Sequence, residues 1–74
     1  MQKDTFKLRP TDEYIELIKL LKYKQIAQSG GHAKIIVEDG LVKVNGVQEF
    51  RKRNKLRVGD VVELEDVQIT IVEE

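Results

Sequence analysis

Apolar residues recur at the helical period in two segments of this chain. In residues 12–23 they fall at positions i, i+3, i+4 and i+7, which is typical of a helix lying on a core. The members of this stripe are Tyr14, Leu17, Ile18 and Leu21. In residues 30–39 a second stripe consists of Ala33, Ile36 and Val37. The pattern therefore predicts two packed helices.

The residues around these segments fit the expected helix ends. Thr11 or Asp12 can cap the first helix by accepting a backbone N–H bond, and Pro10 ends the segment before it. Ser29 can cap the second helix in the same way, and Gly40 follows its last turn, where glycine is favoured.

Most of the remaining residues alternate between apolar and polar positions, as strands do. Val42 and Val44 precede Asn45 and Gly46, a pair that favours the tight turn of a β-hairpin. Further strands are predicted at residues 5–8, 47–50, 61–64 and 67–72. The sequence thus predicts an α+β fold: two helices, at about residues 12–23 and 30–39, against a small antiparallel sheet with an N-terminal edge strand.

Chain length and cysteine content limit the function classes. A domain of 74 residues buries only about 60% of the surface that its unfolded chain exposes, so a deep substrate cavity is not expected. The absence of cysteine excludes a disulfide framework and a thiolate metal site. The sequence shows neither a secretory signal nor a membrane span. We expect a single domain over residues 1–74 of a cytoplasmic protein without a membrane partner.

Charge is segregated along the chain although the formal net charge is zero. Residues 1–18 hold three basic and four acidic residues, residues 19–57 hold ten and three, and residues 58–74 hold six acidic residues and no basic one. If the fold keeps these blocks apart, the domain presents a positive face to a polyanion. If the blocks interleave in space, the segregation has no such consequence.

The basic run at residues 51–57, RKRNKLR, is the sharpest electrostatic feature. Arginine suits phosphate because its planar guanidinium can donate two hydrogen bonds at once. No acidic residue lies within residues 50–58, so the repulsion among these cations favours a partner that supplies negative charge. The alternative is that the run is a solvated loop. No predicted strand carries an outward aromatic pair for stacking single-stranded bases, so recognition of the backbone and shape of a folded RNA is favoured.

The entrance of the second helix, Ser29-Gly30-Gly31, is a second candidate phosphate site. Free N–H groups and the helix dipole attract anions there, and glycine lets a ligand come close. A nucleotide-binding P-loop is not indicated, because the GxxxxGK[ST] pattern is missing around Lys34. A tight helix corner would also explain the two glycines.

Catalytic chemistry finds little support. The chain has one His and one Ser, His32 and Ser29, and the sequence places no acid to orient the His. A lone His with scattered carboxylates has no metal-ligand spacing. We therefore expect no enzyme activity, no cofactor and no metal.

The residues from the first helix onward resemble the RNA-binding domain named after ribosomal protein S4, also called the alpha-L motif. Its pattern is a Ser-x-x-x-Ala helix start, Gly-x-Val-x-Val-Asn-Gly and a later Gly-Asp, and it covers about residues 14–64. The matching positions are Ser29, Ala33, Ile36, Gly40, Val42, Val44, Asn45, Gly46, Gly59 and Asp60. Chain length, the Gly-Gly-x-Ala-Lys element at residues 30–34 and the Arg-Lys-Arg element resemble the stand-alone YaaA/YbcJ-like branch of bacterial proteins.

The resemblance implies two helices on a strongly bent antiparallel sheet, with RNA bound at the second helix entrance and the adjoining strand and loop. Together with the basic run it gives ten candidate RNA-binding residues: Ser29, Gly30, Gly31, His32, Lys34, Lys43, Arg51, Lys52, Arg53 and Lys55. The family commonly has arginine directly after the serine, where this chain has Gly30, so the 51–53 run is expected to replace that clamp.

These observations predict a non-catalytic, monomeric RNA-binding protein that recognises structured RNA, ribosomal or transfer RNA above all. A ribosome or a ribosomal precursor particle is a possible larger partner. The alternative is a protein-interaction module that docks the same basic face on an acidic partner.

Overall fold

The computed structural model describes residues 2–74, which form two helices and seven strands. The helices are α1 (Leu17–Tyr23) and α2 (Gly30–Glu38). The strands are β1 (Gln2–Leu8), β2 (Ile15–Glu16), β3 (Val42–Val44), β4 (Val47–Gln48), β5 (Lys55–Leu56), β6 (Val61–Leu64) and β7 (Val67–Glu73). The predicted α+β class is confirmed.

Five strands form the main sheet in the order β1-β7-β6-β3-β4. The pairs β7–β6, β6–β3 and β3–β4 are antiparallel, whereas β1 runs parallel to β7. The N-terminal edge strand is therefore present, and it is longer than the predicted residues 5–8. The sheet is therefore mixed and not, as predicted, antiparallel throughout, because β1 runs parallel to β7, the last strand of the chain.

One face of this sheet packs against the helices. Inward side chains of the three central strands are almost fully buried: Val42, Val62, Leu64, Ile69 and Ile71. They join the buried residues of both helices in one hydrophobic core. Polar side chains occupy the other face, where Lys43 lies opposite Glu63 in the β3–β6 register. The acidic and basic blocks of the sequence therefore partly interleave in the sheet.

Helix α1 begins at Leu17, five residues later than predicted. Ile15 and Glu16 instead pair antiparallel with Leu56 and Lys55 in a two-stranded ribbon. The predicted Thr11 or Asp12 cap is wrong: Glu16 precedes α1, and its side chain makes no capping hydrogen bond.

The first amides of α1 find acceptors in the chain segment that precedes β5. Leu17 N–H donates to the carbonyl of Asn54 at 3.0 Å, and Ile18 N–H to the carbonyl of Lys52 at 3.1 Å. These bonds satisfy groups that have no partner inside the helix. Leu17, Leu20 and Leu21 are fully buried, whereas Tyr14 is 37% exposed, so the predicted membership of Tyr14 in the core stripe is wrong.

Helix α2 agrees closely with its prediction. Ser29 Oγ accepts a hydrogen bond from His32 N–H at 3.1 Å, and the expected stripe of Ala33, Ile36 and Val37 is buried. Gly40 follows the helix with a φ of +76°, and a Cβ atom there would collide with the side chains of Gln48 and Phe50.

The predicted hairpin turn is also present. Asn45 and Gly46 have φ values of +54° and +82°, and β3 pairs with β4 across them. Asn45 reaches further: its Oδ1 accepts from Val61 N–H at 2.9 Å, and its Nδ2 donates to Asp60 Oδ1 at 3.1 Å. The Gly59–Asp60 turn is thereby fixed to the hairpin.

Candidate nucleic-acid interface

The entrance of α2 is open to solvent. A Cβ atom at Gly30 would meet nothing within 4 Å, and one at Gly31 would meet only Ser29 Oγ at 3.9 Å. Both glycines lie in the first turn, whose amides have no intrahelical acceptors. The backbone is thus free of side-chain cover at the positive end of the helix, where anions are favoured.

His32 lies on a different side of α2 from Lys34. Its Nδ1 accepts a hydrogen bond from Gln28 N–H at 3.1 Å, and its ring lines a groove with Leu41, Leu64 and Glu65. Because successive helical residues are turned by about 100°, the exposed Lys34 lies roughly 200° further around the helix, away from that groove. Of these two predicted site residues, His32 faces the acidic β6–β7 turn and Lys34 does not.

Residues 51–55, here called the basic loop, begin with a turn rather than a strand. Asn54 N–H donates to the carbonyl of Arg51 at 3.1 Å, and only Lys55 and Leu56 pair as strand. The predicted alternation of the run holds at its end, since Leu56 is fully buried and Lys55 is exposed, but Val58 is 53% exposed.

Glu49 organises the basic loop. Its carboxylate accepts from Arg51 Nε and Nη2 at 3.0 and 3.1 Å, from Asn54 Nδ2 at 2.6 Å, and from the amides of Phe50 and Arg51. The hydrogen bond from the Arg51 side chain, followed by the backbone bonds, holds the pKa of Glu49 below its usual value although burial opposes this. The charge of Arg51 is therefore compensated from just outside the acid-free segment.

The other cations of the loop remain available. Within residues 2–74, Lys52, Arg53 and Lys55 form no ion pair. Arg53 and Lys55 are exposed and Lys52 is half-buried. The loop therefore offers three cations that are in no ion pair within the described residues, and its backbone is bonded to α1.

The basic loop and the helix entrance lie at different ends of α2. Gln48 Nε2 donates to the carbonyl of Gly40 at 2.7 Å, and the ring of Phe50 packs beside Gly40, so the loop starts near the C-terminal end of α2. A helix of nine residues places the Ser29 end roughly 13 Å away. Lys34 lies between the two ends.

The structure thus groups the ten candidate residues in four places. Ser29, Gly30, Gly31 and His32 form the entrance of α2, and Lys34 lies along the helix. Arg51, Lys52, Arg53 and Lys55 share the basic loop. Lys43 stands apart, since it lies on the outer face of the sheet opposite Glu63.

Tyr14 and Arg57 are additional members of this region that the sequence prediction left out. Lys55 Nζ lies 5.0 Å from the centre of the Tyr14 ring, and Arg57 Cζ lies 5.9 Å from it. The alternation of residues 51–58 already placed Arg57 on the same side as Lys55. Tyr14 was assigned to the helix stripe, and the sequence has no local signal for its pairing with residues far along the chain.

Residues 2–74 hold no group of three or more His, Cys, Asp or Glu side chains that could bind a metal ion. Neither described helix is long and apolar enough to cross a membrane.

Comparison with known proteins identifies the family. The family model of the S4 domain matches residues 6–72. The chain belongs to the S4 domain family. The predicted resemblance is therefore confirmed, and the S4 fold places the Ser29 helix start and the Asn45-Gly46 hairpin in one domain.

Two relatives of this S4 domain come from different bacteria. "Putative RNA-binding protein YbcJ" of Escherichia coli (strain K12) is 39% identical over 59 residues, which cover 80% of this chain and 84% of YbcJ. "Probable ribosome maturation protein RlbA" of Bacillus subtilis (strain 168) is 45% identical over 53 residues, which cover 72% of this chain and 75% of RlbA.

A solved structure has the same S4 architecture. The solution structure of E. coli YbcJ superposes with a TM-score of 0.69 and 38% sequence identity, covering 92% of this chain and 85% of YbcJ. That structure is described as revealing an alphaL motif involved in RNA binding. The predicted similarity to the YbcJ-like branch is confirmed.

Proposed function

We propose that this S4-domain protein is a non-catalytic RNA-binding protein that recognises the backbone and shape of structured RNA. Two features support the proposal: the basic loop holds three cations that are in no ion pair within residues 2–74, and the amides of the α2 entrance are free of side-chain cover. The names of YbcJ and the description of its structure support RNA as the ligand.

Phosphates would occupy two patches, one at the α2 entrance and one at the basic loop. At the α2 entrance, the amides of Gly30 and Gly31 would donate to a phosphate, and the helix dipole would favour its charge. At the basic loop, Lys52, Arg53 and Lys55 would bind further phosphates. Because roughly 13 Å of helix separates the patches, they would hold different phosphates of one RNA and so read its shape.

Arg51 has a different role in this arrangement. Two nitrogens of its guanidinium, Nε and Nη2, donate hydrogen bonds to the Glu49 carboxylate. The guanidinium therefore stabilises the loop and is not free to bind phosphate. We therefore expect Arg51 to act as a positioning residue, and the phosphate contacts to come from its neighbours in the loop.

The surroundings of His32 support a binding function rather than a catalytic one. Nδ1 of His32 is already bonded to Gln28 N–H, and the groove that His32 lines also contains Leu64 and Glu65. A nucleophile–base pair needs the base nitrogen within reach of the nucleophile and a third group that orients it. Ser29 Oγ instead accepts from a backbone amide.

Ribosomal RNA is the RNA that the comparisons favour most. The name of RlbA refers to ribosome maturation. We propose binding to ribosomal RNA or to a precursor particle, with transfer RNA as the second RNA class. Action as a monomer in the cytoplasm remains a prediction from the sequence.

A direct test measures binding of the purified protein to deproteinised bacterial ribosomal RNA by fluorescence anisotropy, with polyglutamate as the competing polyanion. We expect the RNA to bind and an excess of polyglutamate to leave most of the complex intact. In cell extracts, ribonuclease should release the captured partners. Partners that persist after ribonuclease, together with no binding to the purified RNA, would indicate a protein-interaction module instead.

A further inference from the structure

A groove between β1 and α1 lies outside the two phosphate patches. Its volume is about 790 Å³, within the range of sites that enclose small organic groups. Three aromatic residues line it, Phe6, Tyr14 and Tyr23, and the Phe6 and Tyr23 rings meet edge to face with centres 5.1 Å apart. The groove therefore offers aromatic surface in a protein with few aromatic residues.

The charges in the groove largely cancel. Four basic and three acidic side chains line it. Several are paired locally: Arg9 with Asp12 at 3.1 Å and Lys19 with Glu16 at 3.8 Å, while Lys24 of the groove wall pairs with Asp4 at 3.0 Å. A flat, uncharged group suits such a site better than an isolated phosphate does.

Tyr14 connects this groove to unpaired positive charge. Its ring lines the groove, whereas Lys55 and Arg57 approach the same ring and do not line the groove. The β2–β5 register explains the arrangement: Ile15 is opposite Leu56, so Tyr14 and Arg57 are neighbours just beyond the ribbon. Neither cation forms an ion pair within residues 2–74.

We propose that this groove takes one unpaired nucleotide of the bound RNA, its base stacked on Tyr14 and its flanking phosphates held by Lys55 and Arg57. The proposal rests on the RNA-binding function above. The cations lie against the partly exposed ring of Tyr14, and they can turn to a phosphate without breaking an ion pair. Lys55 belongs to the basic loop, so the stacked base would continue the path of the bound backbone.

Stacking and phosphate binding make different demands on an RNA. Any base has a flat face that can stack on an aromatic ring, so the site should depend on the presence of a base more than on its identity. Phosphate contacts, in contrast, should persist when the base is removed.

The test compares two RNA stem-loops that differ at one bulged position, which carries uridine in one and an abasic ribose in the other. We expect the wild-type protein to bind the uridine form roughly 5- to 150-fold more tightly, the range of one base–aromatic stack. Tyr14→Leu should abolish this preference, so that it binds the two stem-loops with equal affinity. Tyr14→Phe keeps the ring and should keep the preference.

Thermal unfolding serves as the folding control. Because Tyr14 lies outside the buried core, Tyr14→Leu should unfold at the same temperature as the wild type. Equal binding of the two stem-loops by the wild-type protein would overturn the stacking site and leave the phosphate patches standing. Binding of neither stem-loop, nor of ribosomal RNA, would remove the RNA-binding function and this site with it. Tyr14-dependent binding of polyglutamate would overturn the nucleotide as occupant in favour of an acidic protein.

Discussion

The carboxylate of Glu49 binds the guanidinium of Arg51 through two hydrogen bonds, from Nε at 3.0 Å and from Nη2 at 3.1 Å. The acidic side chain is 13% exposed, whereas that of Arg51 is 78% exposed. Glu49 therefore lies at the base of the loop as its acceptor, and Arg51 closes over it. The turn that presents Lys52 and Arg53 depends on this acid.

Glu49→Ala should weaken RNA binding although it removes a negative charge near the interface. Simple charge counting predicts tighter binding. We expect the opposite, by a few-fold, because the loop loses the acceptor for Asn54 and for two backbone amides. Hydrogen exchange at the amides of Phe50 and Arg51 reports the loss of order directly.

The matched control is Glu49→Gln, which removes the charge and keeps one acceptor oxygen. Its exchange rates should lie between those of the wild type and Glu49→Ala. Tighter RNA binding by Glu49→Ala with unchanged exchange would show that the acid does not organise the loop.

The same carboxylate should make stability depend on acid pH. Its pKa in the folded protein lies below the usual value of 4.5, so the unfolded chain takes up its proton first as the pH falls. The stabilisation is therefore complete above that usual value and is lost as the pH falls through the lowered one. Urea unfolding between about pH 6 and pH 3 should show a shallower decline for Glu49→Gln than for the wild type. Parallel curves would contradict this assignment.

Asn45 should be a larger contributor to stability than a surface turn residue usually is. Asn45→Ala removes the hydrogen bonds to Val61 and Asp60. It also places alanine, which tolerates the left-handed region less well than asparagine, at a φ of +54°. We expect a loss of about 2 kcal/mol, roughly half from each cause. Asn45→Gly separates the two, since it accepts the positive φ and should lose only the hydrogen-bond part. Equal losses of unfolding free energy in the two variants would show that the positive φ at residue 45 contributes nothing to the cost.

The resemblance to the S4 pattern predicts an arginine at the position of Gly30, and the structure leaves room for one. A Cβ atom there meets nothing within 4 Å. Gly30→Arg should therefore fold normally and bind ribosomal RNA more tightly, with about 0.7 to 0.9 added to the slope of log affinity against log salt for one new phosphate contact.

Gly30→Gln fills the same space without charge and is the control for Gly30→Arg. It should leave the slope unchanged. An unchanged slope in Gly30→Arg as well would place the RNA backbone away from the α2 entrance.

Local patterns predicted the parts of the fold that depend on local chemistry. The Ser29 cap, the stripe of Ala33, Ile36 and Val37, and the Asn45-Gly46 turn each follow from a few neighbouring residues, and the structure has all of them. The basic run was likewise visible in the sequence as an exposed, charged segment.

The errors lie where residues far apart in the chain compete for the same segment. The stretch around Tyr14 has a helical period, but the strand pairing of Ile15 with Leu56 delays α1, and the carbonyls of the basic loop replace a side-chain cap. The parallel pairing of β1 with β7 likewise joins the two ends of the chain. No window of sequence contains both partners of such contacts.

We infer that phosphates lie at the basic loop and at the α2 entrance. The salt dependence of ribosomal RNA affinity tests this directly for the double variant Lys52→Gln, Arg53→Gln. The charge-matched control is Lys3→Gln, Lys22→Gln, which lies outside the two patches and outside the groove between β1 and α1. The slope should fall by about 0.7 to 0.9 for each lost contact in the first variant and should stay at the wild-type value in the control. A wild-type slope in the first variant, or an equal fall in both, would contradict it.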